Sequence, residues 1–195
     1  MPMFSRAVSA GLPVTIIRPG IVVGHTKTGA AHTTDYAAAI IAAFARMREY
    51  VAADGHFDLS PVDMVARATV LLSLQSSSKD LRVFHLVDAG RVRVREVGQV
   101  AAGQEGRGLS VAEFRASMTK RLGSGVAANG AESLRSLGSF LDNDSFFTME
   151  QSYRSEATVA SLRQLGLDWQ CDATACVRGI VAFLEQSTAQ EESNQ

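Results

Sequence analysis

The sequence predicts an α/β fold, because two buried strands alternate with helical patterns in its first half. Residues 13–17, Pro-Val-Thr-Ile-Ile, are apolar or β-branched on successive positions. Such a run is typical of a parallel strand that is covered on both faces, and the prolines at its two ends favour a strand over a buried helix. A second run of this kind, Val-Phe-His-Leu-Val, occupies residues 83–87. Helical patterns lie between the two runs, as expected for a parallel sheet.

Capping signals order the elements between these strands. A helix over residues 4–10 ends at Gly11, a typical C-cap, and a glycine-containing loop covers residues 20–31. The next helix is expected to begin at Thr33 or Thr34, since either hydroxyl suits an N-cap.

A further helix follows a short strand over residues 56–59. Ser60 is its expected N-cap, Pro61 fits the first helical position, and Asp63 has the spacing of a capping box.

The second half of the chain is predicted to be mainly helical. Its expected elements are helices over residues 94–102, 111–122, 131–141, 156–165 and 172–186, a short strand over 109–111, and a polar end over 187–195. We therefore expect three regions: an α/β part over residues 1–90, a helical subdomain over 91–187, and a frayed tail over 188–195.

Length and composition allow one compact unit and exclude some classes of partner. The chain has 195 residues, of which 46% are hydrophobic, and 19 basic residues balance 20 acidic ones. The basic residues do not cluster, so no nucleic-acid partner is expected. No apolar run approaches the ~20 residues that span a bilayer, and the first residues lack the apolar core of a signal peptide. These features predict a cytoplasmic protein that makes no membrane contact.

The two cysteines, Cys171 and Cys176, are interpreted as ordinary thiols of the core or the surface. Nothing suggests secretion, so a structural disulfide is not expected. Neither histidine nor a third cysteine lies close in the sequence, and a metal site is therefore not predicted.

The candidate functional residues follow the first strand. Arg18, Pro19 and Gly20 stand at its carboxyl end, where open α/β sheets bind their ligands. Pro19 and Gly20 carry no bulky polar group, so the backbone there could approach a flat cofactor ring. The alternative is that the pair only ends the strand. His25 lies on the same loop, either with a role in the site or with a hydrogen bond that orders the loop.

Other apparent motifs are better explained by structure. The glycines of residues 103–108 follow a helix rather than a strand, so they lack the context of a dinucleotide fingerprint. Asp58 and Asp63 could form a carboxylate pair, but a strand end and a helix start explain them. His85 is interpreted as a histidine satisfied within its sheet.

Taken in order, several segments resemble the thioester reductase domains of nonribosomal peptide and polyketide synthases and of carboxylic acid reductases. The residues that carry the resemblance are 11–20 (Gly-Leu-Pro-Val-Thr-Ile-Ile-Arg-Pro-Gly), Gly24-His25, Thr28-Gly29, and 58–68 with its Ser-Pro-Val-Asp helix start. Residues 84–87, the helix from Val111 and the closing helices continue it. The resemblance covers nearly the whole chain but only the carboxyl half of the family's domain. It implies a partial Rossmann-like parallel sheet with a helical substrate-binding lid.

The resemblance also implies an activity: NADPH-dependent reduction of an acyl thioester on a phosphopantetheinyl carrier protein to an aldehyde or alcohol. Family members use a glycine-rich phosphate loop and a Tyr-x-x-x-Lys pair that protonates the carbonyl oxygen. The tyrosines of this chain, Tyr36, Tyr50 and Tyr153, have no lysine four positions later. The carried-over residues are thus Arg18, Pro19, Gly20 and, more weakly, His25 as contacts of NADP, with no catalytic residue.

These observations predict the substrate-binding portion of a reductase that is inactive alone, whether as a truncated product, a gene-model fragment or one chain of a split enzyme. A complementing Rossmann chain would then supply the missing residues. The alternative is a non-catalytic module that docks a carrier protein. Because a parallel strand without neighbours leaves backbone groups unpaired, self-association is also expected.

Overall fold

The computed structural model describes residues 2–33, 35–75, 81–87, 89–123, 137, 145–148 and 153–193. The α/β class predicted from the sequence is confirmed. In chain order the elements are α1 (Pro2–Ser9), β1 (Val14–Pro19), β2 (Ile21–Val23), α2 (Tyr36–Met47), β3 (Glu49–Val51), β4 (His56–Pro61), α3 (Val62–Leu74), β5 (Leu81–Leu86), β6 (Gly90–Arg93), α4 (Val94–Ala102), β7 (Arg107–Leu109), α5 (Val111–Gly123), α6 (Ser145–Thr148), α7 (Glu156–Gln164) and α8 (Ala173–Ser193).

The described strands form three short sheets, and three of their four pairings are parallel. β1 pairs with β5 in parallel from Val14↔Leu81 to Pro19↔Leu86, so the two runs that predicted the fold class are neighbours. β4 lies between β2, which is parallel to it, and β6, which is antiparallel. β3 pairs in parallel with β7. Parallel pairing requires crossovers, and α2 and α3 provide two of them.

The main hydrophobic core surrounds α2. Residues 37–44 of this helix are all buried, with Phe44 at 0% exposure, so α2 is covered on every side rather than along one face. Phe44 meets Phe114 of α5 edge-to-face, with ring centroids 5.3 Å apart. The apolar faces of α4 and α8 complete this core.

A second core lies between α3, β5 and α7. Ala68 and Leu72 of α3 face Leu162 of α7, and all three have 0% exposure. Trp169 closes this core at 2% exposure, and its Nε1–H donates to the carbonyl oxygen of Val87 at 2.7 Å. This hydrogen bond satisfies the indole N–H and ties the segment before α8 to the end of β5.

An ionic cluster around the buried Glu49 joins β3, β7 and α5. Glu49 is 7% exposed, and its carboxylate accepts hydrogen bonds from Arg107 at 2.7 Å and from the hydroxyl of Ser117. Arg121 lies 3.9 Å away. Burial favours the neutral acid, but these donors outweigh it and hold the pKa of Glu49 below its usual range.

Several expected boundaries differ from the structure. The predicted cap Thr33 is not used, because α2 begins at Tyr36 and Asp35 is its N-cap residue; Thr34 lies outside the described residues. Ser60 is not an N-cap either: it belongs to β4, its hydroxyl donates to the carbonyl oxygen of Leu86 at 3.1 Å, and Pro61 takes the cap position.

The remaining differences concern short or terminal elements. The predicted loop over residues 20–31 contains β2, and β3 and β6 were not predicted, because three or four residues carry too little pattern. The last helix continues to Ser193, beyond the predicted end at residue 186. The predicted helix over 131–141 lies, apart from Leu137, outside the described residues. Among the helices that the structure describes, we find none with the length and hydrophobicity of a membrane span.

We expect Trp169→Phe to lower the free energy of unfolding by about 1–3 kcal/mol, because it leaves the Val87 carbonyl without its donor and opens a small void. Urea denaturation followed by far-UV circular dichroism measures the change. Leu12→Ala is the control: Leu12 is 58% exposed, and its substitution should change stability by no more than about 0.5 kcal/mol. Equal effects of the two variants would contradict the assignment of Trp169 to the core.

Candidate functional site

The chain changes its strand partner at Gly20. β1 before it pairs with β5, whereas β2 after it pairs with β4. The Gly20 N–H donates to the carbonyl oxygen of Leu86 at 2.9 Å, and a Cβ at Gly20 would lie 2.7 Å from the carboxylate of Asp58. A larger residue would therefore push Asp58 away. In open α/β sheets, ligands bind outside the carboxyl ends of the strands, and β1 ends at this point.

The predicted residues lie around this point. Arg18 and Pro19 are exposed at the end of β1, opposite His85 and Leu86 of β5, and Gly20 is half-buried. The structure thus brings Arg18, Pro19 and Gly20 to one edge. Their contact with a nicotinamide cofactor stays a prediction.

His25 closes the turn that follows β2. The backbone N–H of His25 donates to the carbonyl oxygen of Ala30 at 3.0 Å, and the backbone carbonyl of His25 accepts from the N–H of Gly29 at 2.9 Å. The ring Nδ1 accepts from the Lys27 N–H at 3.1 Å, so a neutral imidazole here carries its proton on Nε2. Of the two roles considered for His25, the structure therefore provides hydrogen-bond partners for the one that orders the loop. We call residues 24–30 the site loop.

Asp63 fixes the site loop to the first turn of α3. Its carboxylate accepts two hydrogen bonds from Thr26, one from the N–H at 2.9 Å and one from the hydroxyl at 2.7 Å. Burial acts to raise the pKa of Asp63, but the two Thr26 bonds outweigh this effect and lower it below its usual range. The sequence placed Asp63 correctly at a helix start. It gave no signal for a partner 37 residues away.

The opposite side of the site loop rests on α8. Gly29 has φ +68°, and a Cβ there would collide with the backbone carbonyl of Gly179. A Cβ at Gly24 would lie 2.7 Å from Ile180, and the Cys176 thiol contacts the Gly24 carbonyl at 3.9 Å. The loop therefore depends on two glycines for its close approach to the helix.

Two cavities flank the site loop. The first, which we call the apolar cleft, has a volume of about 470 Å³ and lies beyond the end of β2. It is lined by Val22, Val23, Gly24, Ala30, Ala31, His32, Asp35, Ala38, Val62 and Ile180. Its volume falls in the range that holds a small organic ligand, and most of its lining is aliphatic.

The second cavity, of about 350 Å³, lies on the other side of the site loop and contains both thiols. Cys171 is half-buried, Cys176 is buried, and both are free. Burial raises the pKa of Cys171 to about 11 and that of Cys176 to about 12. Both thiols are thus protonated near neutral pH and poor nucleophiles, in line with their interpretation as ordinary thiols.

The other motifs have structural explanations. Gly103 and Gly106 lie between α4 and β7, Gly108 lies in β7, and no strand follows β7 among the described residues. Asp58 lies in β4 and Asp63 in α3, where each has its own structural contact. His85 stacks on Tyr153 with ring centroids 6.2 Å apart. Among the described residues, no group of three or more His, Cys, Asp or Glu side chains is placed to hold a metal ion.

Comparison with known proteins confirms the predicted resemblance. A family model of NAD-binding domains, described as "Male sterility protein", matches residues 3–69. The terminal R domain of the myxalamid PKS-NRPS pathway has a TM-score of 0.76 and 27% identity over 95% of this chain. A thiolation-reductase di-domain from an archaeal non-ribosomal peptide synthetase shares the fold, with a TM-score of 0.71 and 21% identity over 94%. The fold is therefore that of part of a Rossmann-like reductase domain.

Two curated relatives are fungal reductases. "Glycine betaine reductase ATRR" of Emericella nidulans is 35% identical over 88 residues, or 45% of this chain. "Aldehyde reductase lnaA" of Aspergillus flavus is 28% identical over 122 residues, or 57%. The chain spans 7% and 12% of these two proteins, and 47% and 38% of the two structures.

We expect Gly29→Ala to destabilise the protein by about 2 kcal/mol or more, because alanine is strained at positive φ and its methyl group would strike Gly179. Thermal unfolding followed by circular dichroism measures the effect. The matched control is Gly179→Ala: the nearest atom to its Cβ is 3.5 Å away and the residue is helical, so stability should hold or rise slightly. If both variants were neutral, the loop would not rest on the helix as described.

The Asp63 carboxylate should make stability depend on pH. In the folded protein the pKa of Asp63 lies below its ordinary value of 3.8. The contribution of Asp63 to the free energy of unfolding is therefore fully present above pH 3.8 and is lost as the pH falls through the lowered pKa. Urea denaturation over an acidic pH series should show that the destabilisation caused by Asp63→Asn shrinks in this window. Thr26→Val, which removes one of the two hydrogen bonds, should give an intermediate effect. A pH-independent difference would contradict the pairing.

Proposed function

We propose that this chain forms one wall of the nicotinamide pocket and the acyl-binding cleft of an NADPH-dependent reductase of carrier-bound acyl thioesters. The observation that carries the proposal is the position of the apolar cleft. Its lining begins at Val22, two residues after the change of strand partner at Gly20, within a fold that matches a terminal reductase domain over 95% of the chain. A cofactor at the strand ends and an acyl group in the cleft would be neighbours.

The residues at the strand edge suit the ring end of the cofactor. Pro19 is exposed and apolar and offers a surface for a flat ring, whereas the side-chain position of Gly20 is already occupied by Asp58. Arg18 adds an exposed cation at the same edge. When bound, NADPH supplies a hydride to the thioester carbonyl. The described residues contain no glycine-rich phosphate cradle, since the glycines of 103–108 follow a helix.

The acyl group would be held by exclusion of water. The walls of the apolar cleft come from β2, α2 and α8, and their side chains are short, so a ligand can displace water along an aliphatic surface. The site loop forms one rim, and its anchors at Asp63 and Gly179 keep that rim in place before a substrate arrives. In this proposal the chain contributes binding and orientation.

Proton donation is assigned to residues outside this chain. The tyrosines at positions 36, 50 and 153 are followed four residues later by Ile40, Asp54 and Ala157, so none forms a Tyr-x-x-x-Lys pair. His25 uses Nδ1 within the site loop. In this proposal the chain by itself binds acyl thioesters without reducing them. A second part of the Rossmann-like domain supplies the proton donor and the phosphate loop.

Binding and turnover test the proposal separately. We expect the chain to bind an acyl-pantetheine thioester in isothermal titration calorimetry and to leave NADPH unoxidised in an absorbance assay. Ala30→Trp, at an exposed lining position, should weaken binding by about tenfold or more by filling the cleft. Ala66→Trp, on the exposed face of α3, is the matched control and should bind like the original chain.

Three results would change the conclusion. NADPH oxidation by the chain alone would contradict the assignment of the proton donor to other residues. Binding that is insensitive to Ala30→Trp would remove the cleft as the acyl site. Tight binding of a carrier protein without any affinity for the acyl-pantetheine would favour the docking module instead.

A further inference from the structure

The apolar cleft contains a single carboxylate. Of its ten lining residues, all but His32 and Asp35 are aliphatic or glycine, and no lysine or arginine is among them. An anionic ligand would therefore meet the Asp35 carboxylate with no lysine or arginine in the lining to offset it. A ligand with a positive charge would meet a partner, and the charge distribution of the cleft favours cations.

Asp35 is not used by the helix that it precedes. It occupies the N-cap position of α2 with extended backbone, φ −71° and ψ 144°, yet its side chain makes no capping hydrogen bond to the described backbone of that helix. The helix is instead held by burial, because residues 37–44 are all buried. The carboxylate is exposed to solvent and lines the cleft, so it can accept a hydrogen bond from a ligand.

The rest of the cleft selects an aliphatic body. Val22 and Val23 of β2 and Ile180 of α8 present branched hydrocarbon, whereas Ala31 and Ala38 leave space. Apart from the imidazole of His32, the lining offers no aromatic ring to stack on a planar group. A short branched or linear hydrocarbon chain fits this surface, and a charged atom fits only near Asp35.

We propose that Asp35 determines specificity: the cleft takes aliphatic aminoacyl groups, whose ammonium is recognised by the Asp35 carboxylate, in preference to uncharged or acidic acyl groups of the same length. This inference rests on the proposed function, because it assumes that the acyl part of a thioester enters the apolar cleft. It adds aliphatic aminoacyl thioesters as the substrate class and names Asp35 as the residue that distinguishes them from uncharged acyl thioesters.

The test compares two ligands with one carbon skeleton. Leucyl-pantetheine carries an ammonium group, and isocaproyl-pantetheine lacks it. Calorimetric titration of the full chain should give up to about fivefold tighter binding of the leucyl compound at low salt, since the contact is partly exposed, and the preference should shrink as salt is added. Asp35→Asn should equalise the two affinities. Asparagine is as good an N-cap residue as aspartate, so we expect this variant to leave the start of α2 intact.

Asp168→Asn is the matched control. Asp168 is an exposed carboxylate that lines the second cavity, on the other side of the site loop, and its replacement should leave the preference for the leucyl compound unchanged. Equal binding of the two ligands by the original chain, or loss of the preference in Asp168→Asn, would overturn the role of Asp35 while leaving the proposed acyl site intact. Failure of both ligands to bind would overturn the proposed function and this inference together.

Discussion

The close contact between the site loop and α8 is the constraint on which the candidate site depends. Because Gly29 has no side chain, the backbone of the site loop lies directly against the backbone of α8 at Gly179, and Gly29 also needs positive φ. Backbone contacts of this kind fix a distance, because neither partner can change rotamer to relax. The position of α8 thereby sets the position of the loop, and the loop forms a boundary of both cavities.

The second anchor acts through charge rather than through packing. Asp63 lies in the first turn of α3, where the helix dipole favours a negative charge, and it accepts both Thr26 hydrogen bonds. The site loop is therefore held from two sides by two different helices. A rim fixed in this way is suited to binding a ligand without a large ordering penalty.

The two cavities differ in chemistry although one loop separates them. The apolar cleft combines aliphatic walls with one carboxylate, whereas the second cavity contains Thr26, two protonated thiols and the acidic residues Asp168 and Asp172. Gly24 and Ile180 line the first, and Cys176 lines the second, so successive turns of α8 serve different surfaces. Burial raises the pKa of both thiols in the second cavity, and the aliphatic walls of the apolar cleft suit the acyl group of our proposal better.

Local sequence pattern determined the elements that carry long runs. The strand ending at Pro19, the helix over Val94–Ala102 and the left-handed C-cap at Gly11 all follow from propensity and capping within a few residues, and the order of the segments led to the reductase resemblance. Tertiary structure decided the rest, because the deciding partners are distant. Ser60 bonds to Leu86 instead of capping a helix, Asp63 pairs with Thr26, and Asp35 lines a cleft closed by α8. Such contacts join residues far apart in the chain, and no short-range periodicity records them.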